Sequence, residues 1–194
     1  NGEYLSPGNL PEILMRASLT PPFALGIMLT LGLRGIDMSP GTTVGLTGIV
    51  MALMIQAKYG LATAIIAGCL VGLAIGGRNA ILVARFNLEP LIATLSMMFI
   101  GSSIERALTK GGLPIYLYGE KVGVGKIFRT NILSIPLPIW FLAALTLVFH
   151  LVLDKTSYGR KFYASGASLR GSVNAGSSIR AYIAGSYVVS GLTA

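Results

Sequence analysis

The sequence predicts an all-α protein, a polytopic transmembrane helix bundle with a broken helix near residues 34–41. Three observations predict it. Of the 194 residues, 53% are hydrophobic and 11% charged, whereas a soluble domain carries about 25% charged residues. The apolar residues collect into successive runs separated by short polar stretches. None of these runs alternates apolar and polar residues, as the strands of a membrane barrel do over about ten residues. Segments in lipid must satisfy their own backbone polar groups, so the runs are read as helices.

Residues 1–18 hold Glu3, Glu12 and Arg16 with the breakers Pro7 and Pro11. They read as an interfacial segment leading into a helix. Residues 19–33 form an apolar run interrupted by Pro21 and Pro22. The break follows, as Arg34-Gly35-Ile36-Asp37-Met38-Ser39-Pro40-Gly41. Further apolar runs cover residues 42–57, 61–84, 88–108 and 135–153, and another starts at Ala181. Five spans and the start of a sixth are therefore expected. The polar stretches 109–134 and 154–180 are too short to be domains of their own.

The net charge of +8 would suggest nucleic acid in a soluble protein. In this apolar chain it points instead to Lys and Arg gathered on the cytoplasmic side of a membrane. Residues 154–180 carry five basic residues against Asp154, and residues 109–134 carry four against Glu120. One span separates these stretches, so they lie on opposite sides. The larger excess places 154–180 in the cytoplasm. The partner read from composition is a lipid bilayer, with no nucleic acid. Cys69 has no second cysteine to pair with and reads as a small buried residue.

Gly68, Gly72 and Gly76 share one helix face, as do Gly41 and Gly45. This spacing lets a neighbouring backbone approach closely, as packing alone or beside a solute path. Asp37 sits in the break, where a carboxylate near a membrane needs a function or a partner. It either lines a cavity opened by the broken helix, caps the following helix or pairs with Arg34. Arg78 either snorkels to the headgroups or pairs with Glu89 or Asp37. Glu105 and Arg106, near the end of their span, pair or point to water. The segment Gly123-Val124-Gly125-Lys126-Ile127 fails as a phosphate loop, because Glu120 and Ile127 stand where a Gly and a Ser or Thr are needed. The single histidine, His150, makes no metal site, and no nucleophile–base–acid set is visible. No cofactor is expected and the chain does not read as an enzyme. In residues 154–180, Tyr158, Phe162 and Tyr163 stand beside basic residues as at a membrane surface. Leu169 and Val173 allow one short amphipathic helix, either on lipid or against a cytoplasmic partner.

Four motifs in register carry a resemblance. Tyr4-Leu5-Ser6-Pro7-Gly8-Asn9-Leu10, Gly35-Ile36-Asp37-Met38-Ser39-Pro40-Gly41, Leu91-Ile92-Ala93-Thr94-Leu95-Ser96-Met97-Met98 and Thr156-Ser157-Tyr158-Gly159-Arg160-Lys161-Phe162-Tyr163-Ala164-Ser165-Gly166 together resemble the permease subunits of bacterial ABC importers for simple sugars, of the ribose, galactose and autoinducer-2 type. The chain departs from that family at Arg34, where the family has Gly, and at Arg78, where it has an apolar residue. It departs again in residues 167–176, where Leu169 and Arg170 replace an acidic pair.

The resemblance implies one permease domain over residues 1–194 in the bacterial inner membrane, with the first helix and the last third of the family's chain absent. It implies a second permease copy, cytoplasmic ABC ATPase subunits and a periplasmic solute-binding protein as partners. The implied function is import of a small sugar-like solute by alternating access, with ATP hydrolysed on the separate subunits. On that reading Gly35, Asp37 and Ser39 lie near the translocation pathway, and Gly166, Arg170 and Gly176 bracket the ATPase coupling loop. An ATP-independent carrier or channel, or a degenerate permease fragment, is the alternative.

Overall fold

The structure is a computed structural model that describes residues 9–117, 130–133, 135–168 and 178–194. Helices dominate. They are α1 (Leu10–Ala17), α2 (Pro21–Gly32), α3 (Pro40–Gln56), α4 (Leu61–Ala80), α5 (Pro90–Leu108), α6 (Leu137–Lys155), α7 (Ser157–Ala167) and α8 (Ile179–Thr193). One π-helical turn, Ile81–Arg85, extends α4. Two short strands, β1 (Asn131–Ile132) and β2 (Ile135–Pro136), pair antiparallel just before α6.

Four segments are long and apolar enough to cross a membrane: Leu10–Gly32, Leu61–Arg85, Pro90–Leu108 and Leu137–Lys155. The expected span over 42–57 is a shorter helix, α3, of 17 residues. At 1.5 Å per residue it reaches about 25 Å, somewhat less than the hydrocarbon thickness. The expected interfacial segment is a helix too. Amphipathic α1, with its Glu12–Arg16 ion pair at 2.7 Å, leads directly into α2.

Prolines mark the helix starts. Pro11, Pro21, Pro22, Pro40, Pro90 and Pro138 all fall in first turns, where a missing N–H breaks no helical bond. Pro21 and Pro22 therefore do not interrupt an apolar run; they begin α2. The helix ends follow a different rule. Arg34, Lys58 and Lys110 adopt φ values of 63°, 63° and 51°. After each, the next amide donates back five residues, from Gly35 to Thr30, Tyr59 to Met54 and Gly111 to Arg106. This is the left-handed C-terminal motif usually built on glycine. Here a basic residue occupies the left-handed position, where it meets the negative end of the helix dipole.

Helix α8 sits between α4 and α2, and α4 also packs on α3, which in turn meets α5. The α4–α8 seam is made of glycine. A Cβ on Gly72 would overlap the Gly191 carbonyl, and one on Gly76 would stand 2.5 Å from the Tyr187 carbonyl oxygen. Gly191 faces both of them, with a Cβ there 2.8 Å from the Gly76 Cα. Lipid is as apolar as a leucine, so close backbone packing has to supply the association. Gly68, on the same face, meets Met51 of α3 instead. The second glycine pair splits: Gly45 packs under Glu105, while a Cβ on Gly41 would meet nothing within 4 Å. Cys69, expected to be buried, is exposed. It follows Gly68 directly, and one residue's rotation of about 100° carries it off the packed face. Arg78 is exposed on α4, and no ion pair joins it to Asp37 or Glu89 among the described residues.

The seam gives a paired test. Gly76→Ala should destabilise the protein in detergent unfolding by about 2 kcal/mol, through overpacking against α8. Gly77→Ala, whose Cβ meets nothing within 4 Å, should be neutral or stabilising by about 0.5–1 kcal/mol.

Candidate functional site

The break between α2 and α3 gathers the buried polar groups of the bundle. Helix α2 stops because Arg34 turns the chain, and residues 35–39 run on without helical structure until Ser39 caps α3. Asp37 is 5% exposed and Ser39 2%. Oδ1 of Asp37 accepts from the Ser39 amide at 3.0 Å and the Ser39 hydroxyl at 2.7 Å. Oδ2 accepts from the Ser190 hydroxyl of α8 at 2.7 Å. The Ser39 hydroxyl in turn accepts from Nδ2 of Asn79, on α4, at 2.8 Å.

Helix α5 contributes Thr94. Its hydroxyl accepts from the Met38 amide at 3.2 Å and shares its proton between the Pro90 carbonyl of its own helix at 3.0 Å and the Ile36 carbonyl at 3.2 Å. One side chain thus holds the unwound strand from both sides. Tyr187 of α8, 1% exposed, covers the strand from another direction. A Cβ on Gly35 would stand 2.5 Å from the Tyr187 hydroxyl, so only glycine fits there. The Tyr187 hydroxyl and the Asn79 Oδ1 are buried without a hydrogen-bond partner among the described residues.

Of the three readings of Asp37, pairing with Arg34 does not occur. The carboxylate faces the start of α3, whose dipole favours a negative charge there, and it fixes the capping residue. Arg34 points the other way. Its Nε donates to the Gly166 carbonyl at 3.0 Å and its Nη2 to the Ala167 carbonyl at 2.9 Å. These carbonyls close α7, so the guanidinium caps a second helix. Two charge-assisted bonds offset the left-handed backbone, which costs a non-glycine residue roughly 1–2 kcal/mol.

Gly35, Asp37 and Ser39 are therefore brought together, and Gly166 stands next to them through Arg34. A Cβ on Gly166 would overlap the Gly32 carbonyl, so the ends of α7 and α2 touch. Arg170 and Gly176 lie outside the described residues, as do Leu169 and Val173. The amphipathic helix that is described comes earlier, as α7. It buries Phe162 against Leu29, Leu33 and Leu153. Thr156 caps it, accepting from the Gly159 amide. Burial raises the Tyr158 phenol above its ordinary pKa, with Tyr182 beside it adding to the shift. Sequence reasoning missed Asn79, Thr94, Tyr187 and Ser190. The one available signal was that each is polar within an apolar run.

Residues 9–194 match the family described as branched-chain amino acid transport system / permease component. The chain belongs to this family. It is a multi-pass protein of the inner membrane. It is 30% identical over 171 residues to the autoinducer 2 import system permease protein LsrC of Salmonella typhimurium, covering 88% of this chain and 48% of that one. It is 31% identical over 188 residues to the galactofuranose transporter permease protein YtfT of Escherichia coli, covering 96% and 54%. With the ribose import permease protein RbsC of Haemophilus influenzae the identity is 28% over 169 residues, covering 87% and 52%. The chain thus spans about half the length of these relatives. No solved structure matches it. The relatives are transport permeases, not enzymes.

Two measurements check the geometry of the break. Ser190→Ala removes a hydrogen bond to a buried carboxylate and should destabilise the permease by about 1.5–3 kcal/mol. Ser103→Ala, whose hydroxyl bonds only its own helix on an exposed face, should change stability by less than about 0.5 kcal/mol. Arg34→Gly removes backbone strain and the cap on α7 together. Global stability should shift by no more than about 1 kcal/mol, while amide exchange across residues 157–167 should accelerate.

Proposed function

We propose that this permease forms half of the membrane channel of an ATP-driven importer for a small sugar-like solute, working by alternating access. A second permease copy completes the channel. Cytoplasmic ABC ATPase subunits drive it, and a periplasmic binding protein delivers the solute. Two of the relatives are named for ribose and galactofuranose, both sugars, which supports the solute class.

The observation that carries the mechanism is the pair of bonds from Arg34 to the end of α7. Residues 154–180 face the cytoplasm on this reading, and Gly166, Arg170 and Gly176 bracket the stretch against the ATPase. A displacement of that stretch pulls on α7, and α7 is tied through Arg34 to Gly35, Asp37 and Ser39. Residues 36–38 lie between the last bond of α2, from Gly35 to Thr30, and the first of α3, from Thr43 to Ser39, so they can change dihedral angles more cheaply than the helices on either side. The break then acts as the inner hinge of the solute path. The polar side chains of α4, α5 and α8 set its resting position. Reset of the hinge by ATP binding would open the bundle to the other face.

The test is retention of the ATPase encoded beside the permease in a detergent pull-down. Wild type should hold it, and Arg170→Glu or Gly171→Pro should each reduce retention about tenfold or more, as for residues central to an interface. Failure of the wild type to retain any ATPase, where a related permease retains its own, would sink the importer reading. An ATP-independent carrier would then be the better account.

A further inference from the structure

The bundle holds a second carboxylate, Glu105, whose surroundings are unlike those of Asp37. It lies on Gly45, where a Cβ would overlap its Oε1. Gly45 is five residues beyond Pro40, about 8 Å along α3. Gln56, at the far end of α3, is about 16 Å further on, and its Nε2 donates to the Tyr116 carbonyl at 3.1 Å. Helix α5 therefore ends well short of the end of α3. The chain from Thr109 climbs the rest of the way without helical structure, after a turn through Lys110, Gly111 and Gly112 at positive φ. Non-helical backbone at membrane depth is tolerated only where protein buries it or where it lines a watery cavity.

A cavity is there. It measures about 570 Å³ and lies between α3, the end of α5 and residues 112–115, within the range of about 300–1,000 Å³ typical of small-molecule pockets. Gly45, Gly48 and Ala52 give its α3 wall a strip of small residues beside Val44 and Ile49. A Cβ on Gly48 would meet nothing within 4 Å. Oε1 of Glu105 is shielded from solvent and has no donor among the described residues. A buried acceptor left unmade is costly, more so when charged. Asp37 has its donors within the fold; Oε1 of Glu105 has none among the described residues, and the side chain borders an open cavity.

We infer that this cavity is a solute station, and that Glu105 accepts hydrogen bonds there from the hydroxyls of a neutral polyhydroxylated solute. The inference rests on the permease reading and adds to it a residue that contacts the solute. A metal ion fits less well. The described residues contain no group of three His, Cys, Asp or Glu that could hold one, and Arg106 also lines the cavity. An acceptor, a guanidinium donor and backbone groups around one space suit a ring bearing several hydroxyls, which both donate and accept.

The test uses the protein in native membrane vesicles with its binding protein and ATPase, with D-ribose, D-galactose and D-allose as probes. A carbodiimide modifies accessible carboxyl groups in the membrane, and peptide mass spectrometry reads modification at Glu105. At least one sugar should protect Glu105 several-fold, while an equal concentration of betaine should not. Glu105→Gln should raise the KM for uptake about tenfold or more, as expected for loss of a charge-assisted hydrogen bond. Gly48→Leu fills open space without a clash, so it should fold normally and yet reduce both uptake and protection. Unchanged modification with every sugar, or unchanged uptake in both variants, overturns the inference and leaves the importer reading standing. If wild-type vesicles take up none of the sugars, the importer reading falls. Protection of Glu105 then decides the site alone: protection keeps it and its absence overturns it.

Discussion

The arrangement of the described helices turns on a carboxylate placed where lipid could not solvate it. Asp37 ends up almost fully buried, and an isolated charge there would be prohibitive. Three donors make it tolerable, and they come from two places: Ser39, just before the helix that follows, and a serine on α8, 153 residues later in the chain. If Ser190 moves away, the charge loses a partner it cannot replace from solvent. The position of α8 and the start of α3 are therefore one constraint. The glycine seam between α4 and α8 works with it, because only backbone-to-backbone contact brings Ser190 close enough to reach Asp37. Asn79, a turn beyond Gly76 on the same face of α4, then meets Ser39.

Bonds between uncharged groups, as at Asn79 and Thr94, contribute about 1 kcal/mol or less each inside membranes, since the separated state also finds partners, and those to the Asp37 carboxylate contribute more. Their value here lies in direction. The apolar faces of α5 and α6 could slide against neighbours or lipid at little cost. A hydroxyl that takes up the Met38 amide of the unwound strand, as Thr94 does, fixes the height of α5 against the break. The two orphan polar atoms, on Asn79 and Tyr187, mark where this network is incomplete and so where rearrangement removes least.

Much of the bundle could be read from residues 9–194 in advance, because apolar runs are long and membranes punish anything but helix. The break was legible too, since Gly35 and Pro40 punctuate it and Asp37 has no place in an apolar run. The partners of Asp37 were not legible. Asn79 and Ser190 sit in apolar runs whose period is set by what faces lipid, and no spacing rule says which small polar residue faces inward. Helix α7 was not singled out in the sequence, because it buries little more than Phe162 and small residues, and the four-residue spacing of Leu169 and Val173 falls outside the described residues. Glu105 read as a residue near a span end, either paired or pointing to water. Its depth depends on where α5 stops relative to α3, which is a property of two segments and absent from either alone.

The basic residues that end α2, α3 and α5 bear on how such a chain chooses its orientation. A topology count weighs each cation by its side of the membrane, on the premise that it is free to be held back by the cytoplasm during insertion. Arg34, Lys58 and Lys110 occupy backbone positions that close helices, and consecutive spans close on alternating sides. Some of the positive charge on each side is therefore fixed by helix geometry and carries no directional information. With Lys110 set aside, the excess on residues 154–180 over residues 109–134 widens from one charge to two. The near balance between the two stretches reflects a charge recruited to shape the backbone.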